Sequence, residues 1–306
     1  MIDPRLQTLR VLYAEETVTA TAAALHLTPS TVSQQLRQLA AELDVQLLEP
    51  EGRRVRLTAA AHLLLTHADA LHAQWERATA DLETHRDGQA GHLRLSGVAT
   101  AVAALIAPAM RTLQRRYPQM TFEVGEDPGN DRFRLLLAGR TDIAVVIPAP
   151  DSPPRDDPRF EQHVLLEEPQ DLLVPGEHRF SGRAWVELRE AAEETWIRAG
   201  DPKDQHQLLL TACASAGFTP RLAHNAVDWF AIGVMVAHGY GICLMPRLAP
   251  LPPGHDVTRV PLVGKPAPTR RLVACVRRGS TQQNPIQRGL DALTDTANEW
   301  DNRSVW

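Results

Sequence analysis

The stretch from Val18 to Leu39, VTATAAALHLTPSTVSQQLRQL, decides how the first part of the chain folds. It opens with small and short side chains, and a break follows at His26-Leu27. Thr28 then provides a hydroxyl that suits a helix N-cap, and Pro29 suits the first helical position. In the following segment apolar residues recur at steps of three and four, which predicts one buried helix face. The stretch therefore predicts a short helix, a tight turn and a second helix.

The second helix is predicted to carry polar side chains on the face opposite its apolar stripe. These hydroxyl, amide and guanidinium groups belong to Ser30, Thr31, Ser33, Gln34, Arg37 and Gln38. A helix that lies in the major groove of DNA needs such donors and acceptors to contact base edges. The pattern therefore favours a helix-turn-helix, although a solvated helix in any bundle has a similar polar face.

A heptad repeat follows this unit and predicts a long helix. Its apolar residues are spaced by four and three, and they are Leu57, Ala61, Leu64, Ala68, Leu71, Trp75, Ala78 and Leu82. An uninterrupted repeat of this kind favours a partner helix, and hence a dimer. A long helix packed on its own domain is the alternative.

Beyond His92 the pattern changes to alternating strands and helices. One series runs from Leu93 to Ile147, a second begins at Phe160, and a last strand and helix lie within Leu272 to Glu299. Because strands alternate with helices, we expect parallel, doubly wound sheets in two α/β lobes. The cleft between the lobes is the predicted small-molecule site, since ligands of such folds lie at the carboxyl ends of strands.

The first part of the chain resembles the N-terminal signature of LysR-type transcriptional regulators. The matching positions are Leu6, Leu9, Ala14, Val18-Thr19, Ala22-Ala23, Leu25, Thr28-Pro29-Ser30, Val32-Ser33, Leu36, Leu39, Leu43, Leu47-Leu48, Arg53-Arg54 and Leu57-Thr58. Weaker matches follow at Gly139 to Ala144, Ala216 to Pro220 and His238 to Pro246. Asp44 and Ala61 depart from the pattern, because the family usually has glycine at both positions.

The resemblance implies a fold: α/β with an N-terminal all-α part. We expect a winged helix-turn-helix DNA-binding domain over 1–58 and a linker and dimerisation helix over 59–88. A two-lobed effector-binding domain, similar to periplasmic binding proteins, is expected over 89–306. Its lobe I would comprise about 92–163 plus 269–300, and its lobe II about 164–268.

The resemblance also implies which residues contact DNA. At the start of the recognition helix and in the wing these are Thr28, Pro29, Ser33, Gln34 and Arg53. The polar face adds Ser30, Thr31, Arg37 and Gln38, and the wing adds Arg54. Residues 1–58 contain six arginines against seven acidic residues. Non-specific affinity for DNA should therefore be weak, and binding must depend on a few well-placed contacts.

The effector site is expected where the first strand of the effector domain enters a helix. There Ala99 and Thr100 offer free N–H groups and a hydroxyl to an effector carboxylate, as the resemblance implies. Thr100 as a simple N-cap is the alternative. Candidates across the cleft are Arg198, Gly200, Asp228 and Trp229, of which Trp229 could instead be a core residue. Asp127 favours an effector with a cationic group if it faces the cleft, so we expect a carboxylate or an amino-acid-like metabolite.

Composition excludes several classes of protein. The 32 basic and 37 acidic residues give a net charge of −5, which argues against charge-driven DNA packaging. Cys213, Cys243 and Cys275 lack metal-ligand spacing, and their odd number argues against a disulfide framework. Since the sequence also has no secretory or membrane-spanning pattern, we expect a cytoplasmic, nucleoid-associated protein.

Motifs for catalysis are absent from the sequence. No phosphate-binding, metalloprotease or nucleophile-elbow motif occurs, so we expect no enzyme, no metal and no other cofactor. The resemblance implies promoter DNA with a dyad, a small-molecule effector, a homodimer through the linker helix and a homotetramer, with RNA polymerase as a further candidate partner. The competing class is a two-lobed small-molecule binding protein or enzyme without sequence-specific DNA binding.

Overall fold

The computed structural model describes residues 2–51, 54–84, 91–126, 131–202, 205–251, 253–264 and 267–303. The helices are α1 (Pro4–Glu15), α2 (Val18–Ala24), α3 (Pro29–Glu42), α4 (Ala59–Thr84), α5 (Ala99–Ala101), α6 (Ala107–Arg116), α7 (Arg132–Leu137), α8 (Gln205–Ser215), α9 (Trp229–Ala237) and α10 (Asn284–Arg303). The strands are β1 (Leu48–Glu51), β2 (Arg54–Leu57), β3 (Gly91–Gly97), β4 (Met120–Gly125), β5 (Ile143–Val146), β6 (Phe160–Pro175), β7 (Val186–Glu187), β8 (Thr195–Ala199), β9 (Arg221–Ala226), β10 (Cys243–Pro246), β11 (Val257–Val263) and β12 (Thr269–Arg277).

Hydroxyl caps set the starts of α2 and α3. The Thr17 hydroxyl accepts a hydrogen bond from the Ala20 N–H at 3.1 Å, and the Thr28 hydroxyl accepts one from the Thr31 N–H at 3.2 Å. These bonds satisfy N–H groups that have no partner within the helix. The predicted helix, turn and helix are therefore present at the predicted positions.

The turn after α3 explains one departure from the family pattern. Asp44 has φ +51°, in the left-handed region that glycine adopts without steric cost and that aspartate tolerates better than most residues. Ala61, the other departure, is fully buried inside α4. The chain thus keeps the expected turn and helix with a different residue at each position.

The heptad repeat on α4 has two kinds of surroundings. In its first half, Ala61 and Ala68 are fully buried, and Ala61 belongs to the core of the N-terminal domain. In its second half, Leu71, Trp75 and Leu82 are 51%, 45% and 66% exposed. Packing on the chain's own domain therefore accounts for the first half, and only the second half is left for a partner helix.

The main sheet of the effector domain contains eight strands. Its order is β4-β3-β5-β12-β6-β11-β7, and β10 also pairs with β6. Strands β3, β4 and β5 are parallel, as predicted, but β12 is antiparallel to both β5 and β6. The prediction of wholly parallel sheets is therefore wrong, because extended strands rather than crossover helices carry the chain between the lobes.

Strand β6 belongs to both lobes. It pairs with β12 from Phe160 to Pro169, and with β10 and β11 from Gln170 to Pro175. The lobes therefore meet near Pro169 and Gln170, where β12 also begins. Polar side chains at this junction lie between lobe I and lobe II.

The N-terminal domain and α4 pack against lobe I. Arg277, at the end of β12, donates from Nε to Glu76 Oε1 of α4 at 2.7 Å and from Nη2 to Asp142 Oδ1 at 3.2 Å. Arg10 of α1 donates from Nε to Asp69 Oδ1 of α4 at 2.6 Å. These buried ion pairs fix the linker helix between the helix-turn-helix and the effector domain.

Candidate DNA interface and effector cleft

The polar face of α3 lies at the surface. Thr28, Pro29, Ser30, Gln34, Arg37 and Gln38 are exposed, and Thr31 and Ser33 are half-buried. On the opposite face, Val32, Leu36 and Leu39 are 0%, 1% and 4% exposed in the core of the domain. The structure therefore brings these eight predicted DNA-contact residues to one accessible face.

The hydroxyl groups at the start of α3 form a cluster. Thr28 Oγ1 lies 2.8 Å from both Ser30 Oγ and Thr31 Oγ1. One turn later, Arg37 Nε donates to the Ser33 carbonyl at 3.2 Å, and its side chain remains exposed. Hydroxyls at a helix N-terminus suit a phosphate oxygen, and the polar groups further along suit base edges.

The wing is an antiparallel hairpin of β1 and β2, with Glu51 opposite Arg54. Arg53 lies outside the described residues, and of Arg54 only the backbone is described. On the hairpin, Arg56 pairs with Glu49 at 2.5 Å. The predicted contacts from Arg53 and Arg54 therefore stay predictions.

On the lobe I side of the cleft, Thr100 lies in the first turn of α5. The N-cap of this helix is Val98, so the interpretation of Thr100 as the N-cap is wrong. Thr100 is 3% exposed, and its hydroxyl accepts a hydrogen bond from Arg270 Nη2 at 2.7 Å. The helix then widens into a π-helical turn, Val102–Ile106, before Pro108, which has no N–H to donate.

Arg270 is the centre of a buried cluster that we call the cleft network: Thr100, Glu168, Gln170, Gln205 and Arg270. Each member is at most 7% exposed. Arg270 Nε donates to Glu168 Oε2 at 2.6 Å, and Glu168 Oε1 accepts from the Leu248 N–H at 2.6 Å. Gln205 Nε2 donates to Gln170 Oε1 at 2.8 Å and to the Leu244 carbonyl at 3.2 Å.

Sequence reasoning missed four members of the cleft network, namely Glu168, Gln170, Gln205 and Arg270. The local sequence did not single out the two charged members, because Glu168 follows Glu167 and Arg270 precedes Arg271, and only one residue of each pair is buried. A charged residue in a buried strand needs a partner, since an unpaired buried charge is very costly. The identity of that partner depends on the sheet register, which places Arg270 opposite Glu168.

On the lobe II side, the predicted residues have different roles. Gly200 has φ +75°, and a Cβ there would lie 3.0 Å from Gln205 and 3.1 Å from Trp229. Trp229 is half-buried and packs against a core cluster, whereas Asp228 caps α9 by accepting from the Ala231 N–H at 2.9 Å. The structure thus brings Gly200, Trp229 and Gln205 together.

The remaining effector candidates lie at the edge of this region or outside it. Arg198 is exposed, and Asp127 lies outside the described residues. His206, near Arg198, has a pKa held below its ordinary value, chiefly by burial and also by the Arg198 charge.

Two cavities lie elsewhere in the molecule. One of about 110 Å³ is on lobe I and is lined in part by Arg94, Ser96 and Arg140. Another, of about 10 Å³, lies between α1, α4 and the end of β12. Neither cavity is lined by the cleft network.

Within the described ranges, no three histidine, cysteine, aspartate or glutamate side chains are grouped as metal ligands would be. None of the described helices combines the length and the apolar composition that crossing a membrane requires.

The three thiols are buried in the effector domain. Cys213, Cys243 and Cys275 are unpaired, and burial raises the pKa of each thiol to about 12. Because the thiolate is the reactive form, these cysteines are poor nucleophiles.

Comparison with known proteins matches both parts of the chain to family models. Residues 4–62 match the bacterial regulatory helix-turn-helix of the lysR family, and residues 86–298 match the LysR substrate binding domain. A probable hydrogen peroxide-inducible genes activator of Mycobacterium avium is 28% identical over 275 residues, which is 89% of this chain and 86% of that protein.

Solved structures share the fold of the whole chain. A full-length OxyR variant from Pseudomonas aeruginosa has a TM-score of 0.65 and 21% identity, covering 96% of each chain. Full-length CbnR in complex with its target DNA has a TM-score of 0.58 and 20% identity, covering 97% of this chain and all of that one. The predicted fold class is confirmed by these similarities.

Proposed function

The chain belongs to the LysR family of transcriptional regulators, and from this premise we propose that it binds a dyad in promoter DNA and responds to a small carboxylate between its lobes. The observation that carries the proposal is the exposed polar face of α3, which is held outward by the buried stripe Val32, Leu36 and Leu39. An interrupted dyad follows from a symmetric dimer, which presents two such helices.

In this proposal each part of the DNA-binding domain has its own contacts. The hydroxyls at the start of α3 and the arginines of the wing hold phosphates, while Ser33, Gln34, Arg37 and Gln38 contact base edges. Phosphate contacts position the domain, and base contacts determine which sequence is bound. The acidic balance of residues 1–58 makes the base contacts more important than in a strongly basic domain.

The dimer is proposed to form through the exposed half of the heptad repeat. Leu71, Trp75 and Leu82 expose apolar surface at heptad spacing, and a second copy of α4 would cover it. Pairing of two dimers into a tetramer and contact with RNA polymerase are further parts of the proposal. Such a regulator would act in the cytoplasm, at the nucleoid, and would need no catalytic centre.

The effector is proposed to be a carboxylate, or an amino-acid-like metabolite that carries one. Arg270 provides positive charge at the lobe junction, Arg198 is exposed on lobe II near His206, and the Trp229 ring lies beside Gly200. A ligand changes DNA binding only if it prefers one conformation of the protein, so the cleft must differ between the two states.

Footprinting tests the proposed function. Purified protein on the intergenic DNA beside its own gene should protect a dyad-symmetric site, and a matched fragment with one half-site scrambled should lose most of that protection. Protection of both fragments alike would contradict sequence-specific binding and would favour a stand-alone binding protein of the two-lobed fold.

A further inference from the structure

The cavity of about 110 Å³ on lobe I lies apart from the cleft network. Its walls come from β3, β4, α7 and the turn after α7, and its polar lining residues are Arg94, Ser96, Glu123, Arg140 and Thr141. The space is larger than one water molecule needs, and it is smaller than the pockets of about 300 Å³ or more that hold drug-sized ligands. The cavity therefore suits a small ligand.

A buried hydroxyl in the cavity wall lacks a partner. Ser96 is 1% exposed, and its Oγ forms no hydrogen bond with any of the described residues. The side chain lies on the same face of β3 as that of Arg94, two residues earlier. The other lining hydroxyl, that of Thr141, donates to the Arg94 carbonyl at 3.1 Å. Because an unpaired buried hydroxyl is costly, a ligand that accepts a bond from Ser96 gains free energy.

Two guanidinium groups at the cavity have N–H groups without an acceptor. Arg94 donates from Nε and Nη2 to Asp142 at 3.1 and 2.9 Å, whereas its Nη1 bonds to no described residue. Arg140 is exposed, and within the described ranges its side chain has neither a hydrogen bond nor an ion pair. Guanidinium N–H groups form strong, charge-assisted bonds with the oxygens of phosphate and carboxylate groups. The free N–H groups therefore suit an oxyanion.

The acidic residues near the cavity leave the charge of Arg140 unpaired. Asp142 is shared between two other arginines, since it accepts from Arg94 at 2.9 Å and from Arg277 at 3.2 Å. Glu123 lines the cavity, but its side chain is 73% exposed, so water and salt screen its charge. An anion in the cavity would therefore pair with Arg140.

We propose that this cavity binds a small oxyanion, phosphate or sulfate, through Arg94, Ser96 and Arg140. The Arg140 guanidinium and Arg94 Nη1 donate charge-assisted bonds, and the Ser96 hydroxyl donates a third bond. An oxyanion of this kind has several acceptor oxygens, so one ion can accept all three bonds. The site goes beyond the proposed function, because it lies outside the space between the lobes.

Calorimetric titration of the full-length protein with inorganic phosphate, and separately with sulfate, tests this assignment. Sodium chloride keeps the ionic strength constant, so that general screening by salt stays the same. We expect one of the two oxyanions to bind with a dissociation constant of about 1 mM or less. Arg140→Gln removes the unpaired charge and should weaken this binding about tenfold. Arg115→Gln is the matched control, because Arg115 is exposed on α6 and does not line the cavity.

Two further variants locate the bound ion. Ser96→Ala removes the buried hydroxyl without breaking a hydrogen bond of the free protein, so it should fold and weaken oxyanion binding about fivefold. Thr100→Val changes the cleft network and should leave oxyanion affinity unchanged, because Thr100 does not line the cavity. Circular dichroism and thermal melting establish that each variant is folded.

Several results would overturn the inference. One is the absence of oxyanion binding by the wild type up to about 10 mM. Another is unchanged affinity in Arg140→Gln or in folded Ser96→Ala. Equal weakening in Arg115→Gln and Arg140→Gln would indicate a general effect of charge. Weakening in Thr100→Val as large as in Ser96→Ala would place the ion in the cleft instead.

Discussion

The outer face of α3 and the cleft network are both polar, but they differ in how their polar groups are satisfied. On α3, six of the eight candidate side chains are exposed. In the cleft network, every member is at most 7% exposed and is bonded to another part of the chain. The polar face of α3 is accessible to a large partner, whereas the side chains of the cleft network are buried and bond to one another.

This difference follows from the size of the partner. The polar groups on the outer face of α3 have only local partners within the chain and are otherwise accessible to water until DNA replaces it. A small ligand is enclosed between lobes, and an enclosed charge without a partner is costly. In the cleft network the chain itself supplies the partners of its charged groups, as in the 2.6 Å contact between Arg270 and Glu168.

The largest expected effect is on stability, at the buried cleft network. Arg270→Met leaves Glu168 buried without its partner, which should lower the free energy of unfolding by about 3 to 5 kcal/mol. Arg271→Met removes an exposed pair on the neighbouring residue and should cost at most about 1 kcal/mol. Urea unfolding of both variants at neutral pH measures the difference. Equal losses of unfolding free energy in the two variants would contradict a larger contribution of the buried pair to stability.

The next largest effect is on DNA binding, at the accessible polar face of α3. Ser33→Asp places a negative charge on the polar face of α3, close to the negatively charged DNA, and should weaken operator binding about 100-fold or more. The fold and the dimer should remain, because Ser33 is not part of the core. Fluorescence anisotropy with labelled operator DNA measures the affinity. Ser215→Asp, at an exposed position on α8, is the control for added charge alone.

Full operator affinity in Ser33→Asp would contradict the assignment of α3 as the recognition helix. An equal loss in Ser215→Asp would instead indicate a general charge effect. Sedimentation of each variant checks that the dimer is intact.

The same comparison explains which parts of the molecule could be predicted from the sequence. The helix-turn-helix is determined by local bonds: the Thr28 cap acts three residues away, and the apolar stripe repeats within one helix. The bonds of the cleft network join residues that are distant in the chain, with 170 positions between Thr100 and Arg270 and 102 between Glu168 and Arg270. Such pairs depend on strand order and register, which the local pattern does not encode.

The heptad repeat lies between these two cases. Its spacing predicts the helix and the apolar stripe, but it does not indicate which turns meet the chain's own domain. The fold settles this for Ala61 and Ala68, which are buried within the same chain. Arg53 and Asp127 lie outside the described residues, so their predicted roles rest on the sequence alone.

A third, smaller effect is expected on dimerisation, at the exposed apolar half of the heptad repeat. Leu71→Asp puts a charge into the exposed half of the heptad repeat and should weaken dimerisation about tenfold or more, since the interface loses a buried leucine. Analytical ultracentrifugation over a range of concentrations measures the dissociation constant. Thr66→Asp, exposed on another side of α4, is the control and should leave dimerisation unchanged. An unchanged constant in Leu71→Asp would reject the linker helix as the dimer contact.

The smallest expected effect concerns oxidation of the three buried thiols. Although one relative is a probable hydrogen peroxide-inducible activator, burial raises the pKa of Cys213, Cys243 and Cys275 to about 12. Few thiolates are then present near neutral pH, so mild peroxide treatment should leave operator affinity unchanged. Mass spectrometry and anisotropy measure oxidation and binding together. Rapid oxidation of any of these cysteines, with altered DNA binding, would contradict their burial.

The central claim is that α3 selects a DNA sequence, and a salt-dependent competition titration tests it most directly. The measurement is the anisotropy of labelled operator DNA with the wild-type protein at several salt concentrations, against operator and scrambled competitors. We predict a preference of about a thousandfold or more for the operator, which persists as salt weakens both affinities. Binding that falls equally on both DNAs as salt rises, without preference at any concentration, would contradict the claim.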